Sequence, residues 1–376
     1  MPLTKPYYGP EEEAAVLAVL RTGNVGGDGE QCKAAEAYMR ERFGVKHALL
    51  TTSCTHAMEL ALMACGIGPG DEVILPSFTF TSTANVILRQ GARPVFAEIE
   101  EATFNLDPED IKHRISPRTR AIMPVHYAGI GCRMDEIMEI AQRYGLLVIE
   151  DAAQGVGAKY NGRWLGAIGT AGCYSFHVTK NVTCGEGGAL LTDDDQLAER
   201  AEIIREKGTN RSQFLRGQVD KYTWVDWGSS FVLSDLLAAV LVQQLRKMDE
   251  INAKRRVIWE YYYHRLEELA LEGQIILPAL DPLAESNWHI FAIRTDLARR
   301  DKVLAALRAR GIGATFHYIP LHSSPYGRKM WGYTAEDLPI TEKVSASLIR
   351  LPIYPDLTPQ EQEYIIDSLY EIYAEI

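Results

Sequence analysis

The sequence predicts an α/β protein, with a mostly parallel sheet covered by helices on both faces and a smaller α+β unit after it. Three observations carry this expectation. Short apolar runs alternate with helical patterns from Ala48 to Ile149, and the strongest run, Leu146-Leu147-Val148-Ile149, is apolar at every position. Strands apolar on both faces and separated by helices belong to a sheet buried between two helix layers. The order of elements then changes from about Glu272 onward.

Two helices, Glu11–Thr22 and Gln31–Phe43, form an N-terminal arm ahead of a strand at Ala48–Thr51. Helices near His56–Ala64, Ser82–Arg89, Pro108–Arg114 and Met134–Tyr144 then alternate with strands at Glu72–Pro76, Pro94–Ala97, Ala121–Val125 and Leu146–Ile149. Gly145 supplies the stop signal of the last helix. After Asp151 the rhythm breaks: Cys173–His177 and Gly188–Thr192 read as strands joined by a Gly-rich loop with no room for a helix, so that loop holds something. A helix at Asp195–Glu206 and a polar, basic stretch from Lys207 to Lys221 lead into one long helical pattern, Ser234–Leu269, of the kind that links two domains. Strands at Ile276, His289–Thr295 and Thr315–His317, a helix at Asp301–Arg310 and helices near Ser345 and Gln360–Tyr373 complete the chain. The expected division is 1–245, a large domain with its helical arm, and 246–376, a small C-terminal domain.

Composition narrows the class. The 376 residues are 47% apolar and 24% charged, which suits a globular protein and excludes disorder and collagen-like repeats. With 39 Lys+Arg against 50 Asp+Glu the formal charge is −11, which argues against nucleic acid as a partner. The N-terminus lacks an apolar signal-like core, and no apolar run approaches the ~20 residues of a membrane helix. A cytoplasmic location, with no membrane partner, is expected. Six cysteines lie far apart without a Cys-x-x-Cys pair, so neither structural zinc, nor any other metal site, nor a disulfide framework is expected.

Four signals sit at successive strand ends. Asp151 follows the buried strand at its carboxyl end, where open α/β sheets bind ligands, although an aspartate there also suits a helix N-cap. Lys180 lies in Ser175–Asn181, followed by Gly185-Glu186-Gly187-Gly188; a lone loop lysine is usually a solvated charge. Ser53-Cys54-Thr55 opens a helix, offering free N–H groups and hydroxyls to a phosphate, or an ordinary cap. Phe80 occupies the next strand-to-helix turn, placed to lie over a flat ring or to pack in the core. Taken together the four describe a pyridoxal-phosphate site: a lysine for a Schiff base, a carboxylate facing the pyridine nitrogen, a phosphate cup and a stacking ring.

These segments, with His317-Tyr318-Ile319-Pro320-Leu321-His322, resemble the nucleotide-sugar aminotransferases of fold type I, the DegT/DnrJ/EryC1/StrS family, over nearly the whole chain. Cys54-Thr55, Val125–Gly129, Glu206–Phe214 and Gly217–Trp224 look like the transaminase subgroup that makes dTDP-4-amino-4,6-dideoxygalactose for bacterial surface polysaccharide. The resemblance implies an aspartate-aminotransferase-like fold with pyridoxal 5′-phosphate bound by Lys180. It makes Asp151 the pyridinium partner and Gln154 a donor to the ring's phenolic oxygen, with Phe80 stacked on the ring. Phosphate contacts come from Cys54 and Thr55 N–H groups and the Thr55 and Ser175 hydroxyls. Much of the family has Gly at the position of Cys54, so this thiol must point away from the phosphate. Many relatives have Asn at Ser230, reaching the neighbouring subunit's phosphate, and Arg at Val232.

The implied reaction moves an amino group from glutamate to C4 of a dTDP-4-keto-6-deoxyhexose in a homodimer with shared sites; amination of another nucleotide keto sugar, at C3 or C4, is the alternative. Lys207 and Arg211, with Arg216 and Lys221, reverse the local sign of charge and suit the substrate's diphosphate, or form a solvated loop. His317 and Tyr318 resemble the motif facing the sugar, with an imidazole whose charge varies near neutral pH. Three rivals remain weaker. A sugar 3-dehydratase bears His in place of the lysine, a non-catalytic binding protein would lack part of the Lys180, Asp151 and Gln154 set, and a dinucleotide-binding enzyme would carry Gly-x-Gly-x-x-Gly after its first strand.

Overall fold

The apolar runs between residues 47 and 192 pair into one seven-stranded sheet, whose strands Glu72–Pro76 and Gly188–Thr192 are buried at every position. The computed structural model describes all 376 residues. Helices α1 (Pro10–Thr22) and α2 (Glu30–Phe43) precede β1 (His47–Thr51). Then follow α3 (Cys54–Ala64), β2 (Glu72–Pro76), α4 (Thr81–Arg89), β3 (Arg93–Ala97), α5 (Pro108–Arg114), β4 (Thr119–Ile122), α6 (Met134–Tyr144) and β5 (Leu147–Asp151). A hairpin, β6 (Lys159–Tyr160) and β7 (Arg163–Trp164), leads to β8 (Ala171–Ser175), β9 (Gly188–Thr192) and α7 (Asp195–Arg205). The strand order is β1-β9-β8-β5-β4-β2-β3, and only β9 runs against the others. Ser53 and Asp194 start α3 and α7 by accepting backbone N–H groups, and Gly145 ends α6 in the left-handed conformation.

The rest comprises α8 (Arg211–Leu215), α9 (Asp235–Arg246), α10 (Met248–Arg265), α11 (Glu267–Leu271), β10 (Ile275–Ile276), β11 (Ala284–Glu285), β12 (Phe291–Thr295), α12 (Leu297–Ala309), α13 (Pro325–Trp331), α14 (Pro339–Ser347), β13 (Leu348–Leu351) and α15 (Pro359–Glu375). An antiparallel sheet, β10-β12-β13, buries Phe291, Ile293 and Ile349 against Ile365 and Leu369 of α15. The start of the chain joins this second core: the Met1 ammonium donates to the Gly311 carbonyl, and Ile353 N–H to the Leu3 carbonyl. No helix is long and apolar enough to cross a membrane.

Four local expectations are corrected. The single pattern Ser234–Leu269 is three helices, broken at Lys247 and Leu266, where ψ is 1° at both positions. Neither residue is Gly or Pro. Tertiary packing sets the breaks: Leu245 and Met248 fill the core under the large sheet, whereas Ile258 and Tyr262 fill the second core, and Lys247 is held by Glu12 at 2.6 Å. Thr315–His317 is no strand and makes one bridge, Thr315 to Arg350. That bridge's partner is β13, a four-residue strand squeezed between α14 and Pro352 and too short for periodicity to reveal. The hairpin β6–β7 was not expected, although its turn carries the Asn-Gly signal at Asn161 (φ 47°) and Gly162 (φ 74°).

Two polar contacts fasten the second unit to the first. Ser77, at the end of β2, shares a 2.7 Å hydrogen bond with His322 Nδ1, and its carbonyl accepts from Leu321 N–H. Glu98, beyond β3, accepts from the N–H groups of Ile340 and Thr341, both at 2.9 Å. It thereby caps α14, whose own cap position is Leu338. Glu98→Ala should lower unfolding free energy by about 1–3 kcal/mol, the cost of orphaning buried donors at a helix start; a urea-midpoint change equivalent to under ~0.5 kcal/mol would contradict this cap.

Candidate active site

The large cavity, about 500 Å³, opens at the carboxyl ends of β5 and β8 and is closed on its far side by the second unit. Its position is dictated by topology, since ligands bind where parallel strands end and helices begin.

Asp151 ends β5 and is 4% exposed. Its Oδ2 accepts from the Thr83 hydroxyl at 2.8 Å and Oδ1 from Ala153 N–H at 3.2 Å, while Thr83 also bonds Thr79 at 2.8 Å. Burial pushes this carboxyl above its usual range, and Thr83, Ala153 and Lys180 pull it back. On the opposite face of the strand Glu150 accepts from His126 and from the N–H groups of Gly166, Ile168 and Gly169, which pins β5 in register with the following loop. Asp151 is no helix cap, because no helix follows it.

Lys180 lies in the loop between β8 and β9, facing the same space. Burial pushes its amine below its usual pKa, with Asp151 opposing and the Arg350 charge assisting. That is the direction an amine must take to act as a nucleophile. Its neighbour Asn181 is latched by three bonds: Nδ2 donates to the Asn287 carbonyl at 2.7 Å and to Asn252 Oδ1 at 3.0 Å, and Oδ1 faces His289 Nδ1 at 2.8 Å.

At the start of α3, Ser53 Oγ accepts from His56 N–H at 3.1 Å, leaving the first N–H groups of the helix, those of Cys54 and Thr55, without intrahelical acceptors. Gly188 makes the approach of this turn to β9 possible, since a Cβ there would lie 2.4 Å from the Ser53 carbonyl carbon and 2.5 Å from Cys54 N. The Cys54 thiol turns into the sheet, 3.5 Å from the Cys173 carbonyl, and burial pushes its pKa well up. The expected orientation away from the helix mouth is therefore observed. Thr55 Oγ1 donates to Ser82 at 2.9 Å, and Ser175 lines the same wall. Phe80, the cap residue of α4, is 60% exposed into the cavity. Gln154 accepts from Ala128 N–H at 2.7 Å and donates to Tyr318 at 2.9 Å, with its second amide N–H still to give.

The second unit supplies His317, Tyr318, His289 and Arg350. His317 Nδ1 shares a 3.1 Å bond with the Tyr127 hydroxyl, and its ring lies 3.5 Å from that of Tyr318. Burial, then the charges of Arg350 and Lys180, drive its pKa far below the usual value. This corrects one expectation: His317 stays neutral throughout the physiological range rather than switching near pH 7. Thr83, Tyr127, His289 and Arg350 were not singled out in the sequence. Tyr127 lay in a recognised run, whereas Arg350 is hidden with its strand.

Three expected residues lie outside this subunit's cavity. Lys207 and Arg211 stand 3.4 and 3.6 Å from Glu206, which offsets their charge, and Ser230 is bridged to Glu206 on the outer surface. No group of three or more His, Cys, Asp or Glu side chains is placed to hold a metal ion.

A free amine, a buried carboxylate, an open helix start and an unstacked aromatic ring thus converge on one cavity. Residues 6–370 match the model of the DegT/DnrJ/EryC1/StrS aminotransferase family. The chain belongs to this family. Among solved structures it is similar to DesV of S. venezuelae, at 36% identity and TM-score 0.90 over 98% of this chain and 95% of that one. It is similar to the aminotransferase TlmJ of Streptoalloteichus hindustanus, at 30% identity and TM-score 0.92 over 100% and 99%. The PMP-form of Spr1654 from Streptococcus pneumoniae, a putative sugar aminotransferase by its own description, matches at 25% identity and TM-score 0.92 over 100% and 98%. The chain is therefore a sugar aminotransferase of fold type I that depends on pyridoxal phosphate.

The DegT-family cofactor fits what the residues present. Bound, it supplies an electron-accepting ring through which an amino group passes from donor to acceptor. Lys180 would carry it covalently and move the proton at the reacting carbon, and the start of α3 would hold its phosphate. Asp151 would keep the ring nitrogen protonated, since a pyridinium beside it also favours the ionised carboxylate. Asp151→Asn is expected to cost about 3 kcal/mol of transition-state stabilisation, roughly a hundredfold in turnover, while cofactor still binds. Unchanged single-turnover kinetics with glutamate would remove that role.

Proposed function

We propose that this aminotransferase moves the amino group of glutamate to C4 of a dTDP-4-keto-6-deoxyhexose, giving dTDP-4-amino-4,6-dideoxygalactose. The carrying observation is the extent of the cavity, which runs past Lys180 and Asp151 to a wall of His317 and Tyr318 braced by Tyr127 and Gln154. A hexose ring whose C4 meets the cofactor extends toward that wall. The Val125–Gly129 run that resembles the 4-amino-4,6-dideoxygalactose subgroup lies directly under it, forming a tight turn with Ala128 at φ 58°. Purified enzyme offered glutamate and a panel of dTDP-, UDP- and GDP-keto sugars should aminate the dTDP-4-keto sugar fastest, with the galacto amine identified by NMR. Preference for another nucleotide, or amination at C3, would overturn this assignment.

His317→Ala should raise the KM for the keto sugar about 3- to 10-fold, as loss of one neutral hydrogen bond does, with the glutamate half-reaction nearly unchanged. Because the imidazole is neutral well below pH 6, the loss should be the same at pH 6 and pH 8. Equal impairment of both half-reactions, or of neither, would count against sugar contact.

The proposal includes a homodimer in which residues 207–230 reach the partner's site, with Ser230, Lys207 and Arg211 beside its phosphates. This segment presents Trp224 at 76% and Leu215 at 59% exposure, an unusual outer surface for side chains of that kind. Mixing Lys180→Ala protein with a Lys207→Ala/Arg211→Ala variant should restore roughly a quarter of wild-type activity, because random exchange builds one intact site in half the dimers. Absence of recovery despite demonstrated exchange would place the segment in its own subunit's site.

A further inference from the structure

The loop that carries Lys180 closes mostly on itself: Val178 N–H bonds the Gly185 carbonyl, Cys184 N–H the Phe176 carbonyl and Lys180 N–H the His177 carbonyl. At Asn181 it reaches out to the second unit. The Asn181 amide gives one N–H to the Asn287 carbonyl at 2.7 Å and the other to Asn252 Oδ1 at 3.0 Å. A carbonyl only accepts, so this amide cannot be turned over, and Asn181 Oδ1 must face His289 Nδ1, 2.8 Å away. His289 therefore carries its proton on Nδ1. It is buried, lines the same cavity as Lys180, and is held neutral by burial and by the positive charges nearby.

The residues beside His289 are fastened as firmly. Arg255, buried on α10, donates to the Trp288 carbonyl at 3.0 Å and to the His289 carbonyl at 2.6 Å. Asn287 Nδ2 donates to the carbonyls of Gln154 and Val156 at 2.8 and 2.9 Å, and its Oδ1 accepts from His289 N–H at 3.2 Å. Gly129 (φ 81°) makes room for that amide, since a Cβ there would overlap Asn287 Oδ1. Trp288, between the two, sits at φ 57°. A bulky residue keeps this left-handed conformation only where its surroundings impose it, as they do around functional sites.

We propose that His289 is a positioning residue for Lys180. Through Asn181 it anchors the lysine loop to the second unit, so the direction of the reacting amine is set by the domain pair and not by the large sheet alone. Consecutive Cα atoms stand ~3.8 Å apart, so fixing Asn181 fixes the origin of the Lys180 side chain. That matters for a long, flexible side chain in a cavity of about 500 Å³, because misplacing a reacting group by about 1 Å can cost on the order of a hundredfold in rate. The same tripeptide, Asn287–His289, holds the Gln154 carbonyl and packs against Gly129 beside Tyr127. Lysine, glutamine and the Tyr127 wall thereby keep one mutual geometry. His289 acts through Asn181 and not on the reacting atoms.

The test separates an imidazole that acts through Asn181 from one that only fills the core or that contacts a substrate. His289→Asn keeps an N–H at the place of Nδ1, whereas His289→Leu keeps bulk and loses the donor. Apoprotein is mixed with pyridoxal 5′-phosphate, trapped with borohydride at timed intervals, and the label on the Lys180 peptide is measured by mass spectrometry. This readout needs neither donor nor sugar, so it stands whichever keto sugar is the substrate. In His289→Leu the rate of labelling should fall on the order of 10- to 100-fold, with kcat of the loaded enzyme falling alongside. The KM for the keto sugar should stay within about twofold of wild type, because no binding contact is removed. His289→Asn should label and turn over within about threefold of wild type, since its hydrogen bond to Asn181 is kept. Asn252→Ala, at the half-buried edge of the latch, should show the same pattern at about 3- to 10-fold, the scale of one neutral hydrogen bond. Should His289→Leu fail to fold by circular dichroism, Asn252→Ala decides. Unchanged labelling in folded His289→Leu or in Asn252→Ala would overturn the assignment. So would His289→Asn as impaired as His289→Leu, or a loss confined to KM.

Discussion

Placing an aspartate at the buried end of β5 is unfavourable by itself, and much of the surrounding architecture offsets that cost. A carboxylate removed from water is tolerated when donors and a positive charge compensate it. Here Thr83 and the Ala153 N–H supply the donors, and a protonated ring nitrogen supplies the charge when the cofactor is bound. The strand itself is held in place, because Glu150, on its other face, gathers three backbone N–H groups and His126. Two adjacent acidic residues thus do opposite things. One fixes the sheet and the other faces the site.

The second consequence is a cavity with two unlike walls. The large sheet contributes strand ends and helix starts, where N–H groups and hydroxyls concentrate. The smaller unit contributes side chains from β12 to β13 and the connection between them, dominated by imidazoles, a phenol and one guanidinium. Ser77–His322 and Glu98–α14 hold these walls together. The seam therefore sets the width of the cavity as well as the stability of the domain pair, and substrate selection is expected to respond to residues that touch neither cofactor nor sugar.

Much of this was legible in the sequence, for identifiable reasons. Fully apolar strands between helices announce a covered parallel sheet, and ligand residues at strand ends follow from that topology, so Lys180, Asp151, Phe80 and Ser53–Thr55 could be placed before any coordinates. The departure at Cys54 was also readable, since a side chain at a phosphate-binding turn has only one way to go. What escaped lies where local pattern carries no signal. The breaks at Lys247 and Leu266 answer to two different cores and leave no Gly or Pro behind. The strand β13 has four residues, and with it Arg350 was lost. His317 was found, but its lowered pKa comes first from burial and then from Arg350 and Lys180, which are distant in sequence and adjacent only in the fold. Lys207, Arg211 and Ser230 fall outside the subunit's own cavity, in the long polar segment that the sequence already set apart as one reaching toward a partner.

The central claim is that one lysine, held short of its usual basicity opposite Asp151, carries the cofactor. Borohydride reduction of the loaded protein fixes a covalently attached pyridoxyl group, and peptide mass spectrometry then locates it. The account predicts the added mass on Lys180 alone. Label on another lysine, such as Lys159 or Lys207, or bound cofactor that leaves no covalent mark after reduction, would contradict it.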